Sequence, residues 1–241
     1  MNKWKEIWEK RIANDNALLG NKEEVLLELK RINGFDSTDN ILSYDSFYDQ
    51  YIQTKRELSF GAKKDFILQS IFEVGCGSGA NLYLFQQDGI EVGGVDYSAS
   101  LIETASKILG KNNELVCDEA INMPCDKKYD AILSNSVFSY FPSNEYALNV
   151  LENMYVKSNY SIGILDVHDV HKKEDFMNYR METVKNYQEK YKDLPKYFYD
   201  REFFWRFAES HKMNIRFTFS NIDGYWNNKF IFNVFMTKEN G

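Results

Sequence analysis

Cysteine, proline and histidine are scarce, with three of each among 241 residues. Cys76, Cys117 and Cys125 are odd in number and lack CxxC spacing. Neither a disulfide scaffold nor a zinc site is expected from them, and no metal is expected at all. Three prolines leave no rigid linker to divide the chain. Nowhere do about 18 apolar residues run together, so no membrane span is expected. No run of lysine and arginine interrupts a net charge of −7, which makes a nucleic-acid backbone a poor partner. The opening stretch MNKWKEIWEKRIANDN is charged throughout and has no apolar core of signal-peptide length. These absences point to a soluble, cytoplasmic protein of bacterial type.

What is present is a substantial core. Hydrophobic residues make up 44% and aromatics 16% of the chain, enough for one α/β domain with a decorated end or for two small domains. Trp4, Ile7, Trp8 and Ile12 fall at helical spacing, and KEEVLLELKR is a second amphipathic stretch. A turn-rich break, RINGFDSTDN, separates these from the aromatic helical segment YDSFYDQYIQTKREL. Residues 1–65 therefore read as an N-terminal helical cap, and residues 66–241 as the main domain. From residue 67 onward short apolar strands alternate with helical stretches: ILQSIFEV, EVGGVD, NELVC, YDAILS and NYSIGILDV are the strands. Crossovers long enough for a helix imply a parallel, doubly wound sheet. Residues 172–211 turn charged, aromatic and helical, and read as an insertion on the acceptor side. NIRFTFSN and KFIFNVFMTK close the chain as two strands suited to an antiparallel edge.

The first of those strands runs into FEVGCGSGAN, which places Gly75, Gly77 and Gly79 beyond its carboxyl end. In an open parallel sheet ligands bind there, and glycine lets a ligand approach the backbone closely. A triphosphate loop requires a lysine after its last glycine, and there is none. A dinucleotide site remains open, because Gly75, Gly77 and Ala80 satisfy GxGxxA and Asp96 ends the next strand. Glu73 argues for a third ligand, S-adenosylmethionine. A carboxylate two residues before the first glycine is badly placed beside a pyrophosphate but can anchor the ammonium of a methionine moiety. Asp96, followed by Tyr97, can accept both ribose hydroxyl hydrogens. Asp118 or Glu119 can take the adenine amine, with the N–H of Ala120 meeting a ring nitrogen. Ser134 and Asn135, followed by aromatics that include Tyr140, end the fourth strand near the sulfonium and acceptor.

In that order, FEVGCGSGAN, GGVDYS, CDEAINMP and YDAILSNSVFSYF resemble the class I S-adenosylmethionine-dependent methyltransferases, over residues 68–141. The resemblance implies a Rossmann-like seven-stranded sheet in the order 3-2-1-4-5-7-6 with its last strand reversed. It also implies S-adenosylmethionine as the cofactor. By its spacing to Pro124, Glu119 occupies the usual adenine-binding position, and Asp118 stays a candidate beside it. More narrowly, NGFDS, SYFPSNEYA and NNKFIFN look like a group of small bacterial methyltransferases of capsule and surface-polysaccharide decoration, including the O-methyl phosphoramidate type. That implies a small-molecule acceptor, a sugar or a phosphate-like group, methylated on oxygen.

An alcohol acceptor needs a base, whereas an ionised oxygen needs none. LDVHDVHKK follows the fifth strand, and His168 is the expected base, with Asp166 or Asp169 to orient it. His168 and His171 equally suit a polar loop without a ligand. Arg180 can hold an anionic acceptor and Tyr199 can wall its pocket, although solvation of a helix and core packing explain them as well. Tyr44, Tyr48 and Tyr51 recur at helical spacing and suit a lid or simple packing. Two other functions stay open: an NAD(P)-dependent oxidoreductase, and a cofactor-binding partner subunit without catalysis. The Tyr-x-x-x-Lys from Tyr51 to Lys55 precedes the glycine loop, which disfavours it as the catalytic pair of an oxidoreductase. Oligomeric state is not legible.

Overall fold

The computed structural model describes residues 3–35, 43–62 and 66–239. The NGFDS stretch and the break over 31–40 run into residues 36–42, and the boundary drawn at residue 65 touches 63–65. Those positions lie outside the described residues.

Seven strands form one sheet: β1 (Ser70–Val74), β2 (Glu91–Asp96), β3 (Glu114–Cys117), β4 (Tyr129–Asn135), β5 (Ser158–His168), β6 (Met213–Phe219) and β7 (Ile231–Lys238). Their order is β3-β2-β1-β4-β5-β7-β6. Pairs among the first five are parallel, whereas β7 runs antiparallel to both β5 and β6. This is the sheet that the resemblance implied. Residues Ile71 to Val74 are all buried, as are Ala131 to Ser134. Parallel strands covered on both faces need continuous apolar runs, and alternation disappears there.

Among the described residues ten α-helices join and cover the strands: α1 (Lys3–Glu9), α2 (Asp15–Leu18), α3 (Lys22–Ile32), α4 (Tyr44–Leu58), α5 (Ala80–Gln87), α6 (Ala99–Leu109), α7 (Asn144–Lys157), α8 (Lys173–Thr183), α9 (Tyr187–Lys190) and α10 (Arg201–Ser210). On one face Leu26 and Leu29 of α3, Phe47 of α4, Leu84 of α5 and Ala105 of α6 pack against Ile71 and Leu133. On the other face Leu151 and Met154 of α7 and Phe204 and Phe207 of α10 pack against Phe72, Ile132 and Ile162. Asn21 starts α3 with a capping box, its side chain accepting from the N–H groups of Glu23 and Glu24 while Glu24 returns a bond. Ile12 falls outside α1 and is exposed. Among the described residues no helix is long and apolar enough to cross a membrane.

Strand β5 is irregular where it matters. Its register with β7 shifts between Ile164 and Val167, and Asp166 has φ = 63°. A bulge of this kind re-aims a side chain. Here it turns Asp166 towards Ser136, just beyond β4.

Candidate active site

The carboxyl ends of β1, β2 and β4 open into a cleft of about 670 Å³. Gly75 and Gly77 line it. Both have positive φ, and a Cβ at Gly75 would fall 2.3 Å from Val137 Cγ2. One at Gly77 would fall 2.5 Å from Asn33 Oδ1, so neither position accepts a larger residue without displacing its neighbour. The Gly75 and Cys76 N–H groups both donate to the Val95 carbonyl, at 2.7 and 3.1 Å, which folds the loop back onto β2.

Glu73 reaches the cleft from within β1 and is buried. Its Oε1 accepts from Asn81 Nδ2 at 2.6 Å, and its Oε2 is buried with no partner. Lys30, buried on α3, donates from Nζ to Asn81 Oδ1 at 2.7 Å and lies over the Phe47 ring at 4.7 Å. Burial pushes the Glu73 carboxyl up and the Lys30 ammonium down, and each is held back by the charge of the other.

The far end of the cleft carries Asp96, Tyr97, Glu119 and Ala120. Asp96 accepts from the N–H of Gly77 and of Ser98, both at 2.9 Å. Desolvation nonetheless raises its carboxyl to about 6. Glu119 accepts a long bond from Tyr146 at 3.4 Å. Asp118 does not line the cleft. It is exposed, and its Oδ1 accepts from the Glu119 N–H and from Asn122 Nδ2, which spends the side chain on its own turn. Of the two acids, Glu119 is the one that lines the cleft.

Asn135 and Tyr140 line the cleft as well. Ser134 does not: it is buried inside β4, where its Oγ donates to the Val74 carbonyl at 3.1 Å. Gly79 also lies behind the wall, capping α5 at φ = 81° against Leu109.

Three acceptor-side expectations need correction. His168 does not reach the cleft. Its ring is buried against Phe176 and Phe198, at 4.9 and 5.3 Å, and Nδ1 has no partner. Burial holds it well below the usual histidine range, so it stays neutral. Tyr199 is core, donating to the Phe138 carbonyl at 2.9 Å. Arg180 on α8 lies over the Trp226 ring at 4.7 Å, away from the cleft. Tyr51 packs on Phe85 of α5 and hydrogen-bonds Asp88, so Tyr44, Tyr48 and Tyr51 form no lid over this opening. His168→Ala is therefore expected to cost about 2 kcal/mol of stability as a core truncation. S-adenosylhomocysteine affinity should stay within about twofold of wild type by calorimetry.

Several lining residues escaped the sequence reading. Trp4 and Trp8 of α1 line the mouth, with Trp4 4.7 Å edge-on from Tyr140. Lys196 lies over the Tyr140 ring at 4.7 Å. Lys30, Asn81 and Ser136 complete the inner end. Asn81 and Ser136 left a trace, since each lies within a quoted motif.

Residues 71–156 match the family described as the methyltransferase domain. The fold is the Rossmann-like methyltransferase fold. Malonyl-[acyl-carrier protein] O-methyltransferase 1 of Ilyobacter polytropus is 28% identical over 142 residues, 54% of this chain and 49% of its own length. Its counterpart in Priestia megaterium is 29% identical over 119 residues, 47% of this chain and 42% of that protein. The chain thus spans about half the length of the curated relatives it matches. Among solved structures, the plantazolicin methyltransferase BpumL in complex with SAH superposes with a TM-score of 0.62 at 19% identity, covering 98% of each chain. At that identity the likeness is one of fold.

Proposed function

We propose that the protein is an S-adenosylmethionine-dependent methyltransferase acting on an oxygen of a small-molecule acceptor. The observation that carries this reading is Glu73 Oε2, a buried carboxylate oxygen without a partner beside a glycine loop that admits close backbone approach. That orphan suits an ammonium and would repel a pyrophosphate. Glu73, with Lys30 and Asn81, would hold the amino-acid end, Lys30 facing its carboxylate. Asp96 would take the ribose hydroxyls, and Glu119 with the Ala120 N–H would take adenine. Bound there, S-adenosylmethionine supplies an electrophilic methyl group on a positively charged sulfur. The chain's part is to align an acceptor lone pair and to exclude water.

Residues 1–65 act as a cap in this reading, because Trp4, Trp8 and Lys30 all face the cleft. Residues 172–211 act as the acceptor-side insertion through Pro195, Lys196 and Tyr197. Transfer to oxygen draws support from the two relatives named as O-methyltransferases. A sugar-like intermediate of capsule or surface-polysaccharide synthesis rests on the resemblance in sequence and on the aromatic rings at the mouth. Calorimetry is expected to show S-adenosylhomocysteine binding at micromolar affinity or tighter. Thermal stabilisation by NAD or NADP in its place would sink the reading.

A further inference from the structure

We propose that Ser136 and Asp166 form a proton-accepting pair at the acceptor end of the cleft, so that the acceptor is a hydroxyl arriving with its proton, not a carboxylate. This rests on the methyltransferase reading above and names the acceptor class for that site.

Ser136 lines the cleft directly after β4, and its neighbour Val137 packs against Gly75 of the glycine loop. Its Oγ donates to Asp166 Oδ2 at 2.6 Å. Tyr225 donates to the same oxygen at 2.8 Å. Asp166 Oδ1 is buried and has no partner, on a residue only 3% exposed. Both members of the pair sit in the left-handed region, Ser136 at φ = 60° and Asp166 at φ = 63°. Such conformations in residues other than glycine cost free energy, and they collect at functional sites.

The hydroxyl has one hydrogen, and Asp166 takes it. What Ser136 turns to the cleft is therefore lone pairs. An acceptor X–H can donate to them, whereas a carboxylate oxygen would meet lone pair with lone pair. Asp166 is suited to the proton. Burial raises its carboxyl, opposed by the Ser136 and Tyr225 hydroxyls and by Lys196 and Lys30. In the step, the lone pair of X bonds to the methyl carbon and the carbon–sulfur pair stays on sulfur. The proton of X passes to Ser136 Oγ as the serine proton passes to Asp166, which later releases it to water.

The test supplies tritiated methyl donor and a deproteinised extract of the source cells, and sorts the labelled product by its chemistry. Label should survive alkali. The labelled methyl ether should run through a cation exchanger, and a retained methylamine would overturn the proposal. Asp166→Asn and Ser136→Gly should each lower the labelling rate about 100-fold or more, with S-adenosylhomocysteine affinity by calorimetry within about twofold of wild type. With the methyl donor held at saturation at every pH, the wild-type rate should fall on acidification, as Asp166 takes up a proton beforehand, and the Asn variant should lose that dependence. Ser136→Gly keeps the test open if Asp166→Asn does not fold, because glycine relaxes the backbone there. Label released by alkali as methanol marks a methyl ester and overturns the proposal. So would wild-type rates in both variants, or no labelled product from protein that binds the cofactor. Failure of wild-type protein to bind S-adenosylhomocysteine would instead remove the methyltransferase reading itself.

Discussion

Asp96→Ala is expected to weaken S-adenosylhomocysteine binding by about 1.5–3 kcal/mol, roughly 10- to 150-fold, the range for hydrogen bonds to a charged group. The carboxylate ends β2 beside the loop and is oriented by two backbone donors, from Gly77 and Ser98. It is therefore preorganised and meets ribose hydroxyls without rearrangement. The variant also leaves the Gly77 N–H without its acceptor, so part of the loss comes through the loop. Acidity should reproduce the effect in wild type. Desolvation pushes the carboxyl up to about 6, and only the ionised form offers both oxygens as charged acceptors to the ribose hydroxyls. Affinity should thus be flat above pH 7 and fall as pH drops below about 6. Stability of the free protein has the opposite sign. A carboxyl raised on folding contributes stability that is fully present below its unfolded value and lost as pH rises through about 6. Calorimetry across pH on wild type and Asp96→Ala checks both statements, and an unchanged affinity in the variant would remove Asp96 from the ribose position.

The strands and the glycine loop were legible because their signals are local. IFEV carries an acid one residue before its end and EVGGVD ends in one, and both strands stand where they were expected. The acceptor side was misread at one point of backbone geometry. In a regular strand Asp166 and His168 share a face. The bulge between Ile164 and Val167 breaks that parity, so Asp166 meets Ser136 while His168 enters an aromatic core. Nothing in LDVHDVHKK announces an inserted residue. Ser134 misled for a related reason: β4 runs on to Asn135, which leaves Ser134 inside the sheet and Ser136 at its edge. Lys30 was illegible for a different cause. It lies on a helix far upstream, and only the packing of α3 on α5 brings it to Asn81. In sequence it looks like any lysine of an amphipathic stretch.

Lys157→Ala is expected to cost about 3–5 kcal/mol, the loss typical of breaking a buried ion pair from one side. The side chain ends α7 and is fully buried. Its three ammonium donors are all used, on Glu114 Oε1 at 3.0 Å, the Pro124 carbonyl at 2.6 Å and the Lys127 carbonyl at 3.1 Å. The ammonium also lies over the Phe72 ring at 4.1 Å. Glu114 opens β3 and accepts a further bond from Tyr129, which opens β4. One cation therefore ties β3, β4 and the α7–β5 junction together at the end of the sheet opposite the cleft. Lys157→Met keeps the buried stem but leaves two carbonyls and a carboxylate without their donor. It should recover only the packing part of the loss. Urea unfolding of both variants measures the two contributions, and a cost below 1 kcal/mol in Lys157→Ala would mean that water replaces the ammonium. Because the cluster is remote from Glu73 and Asp96, S-adenosylhomocysteine affinity of the folded variants should match wild type. Stability and cofactor binding are thus carried by opposite ends of the same five parallel strands.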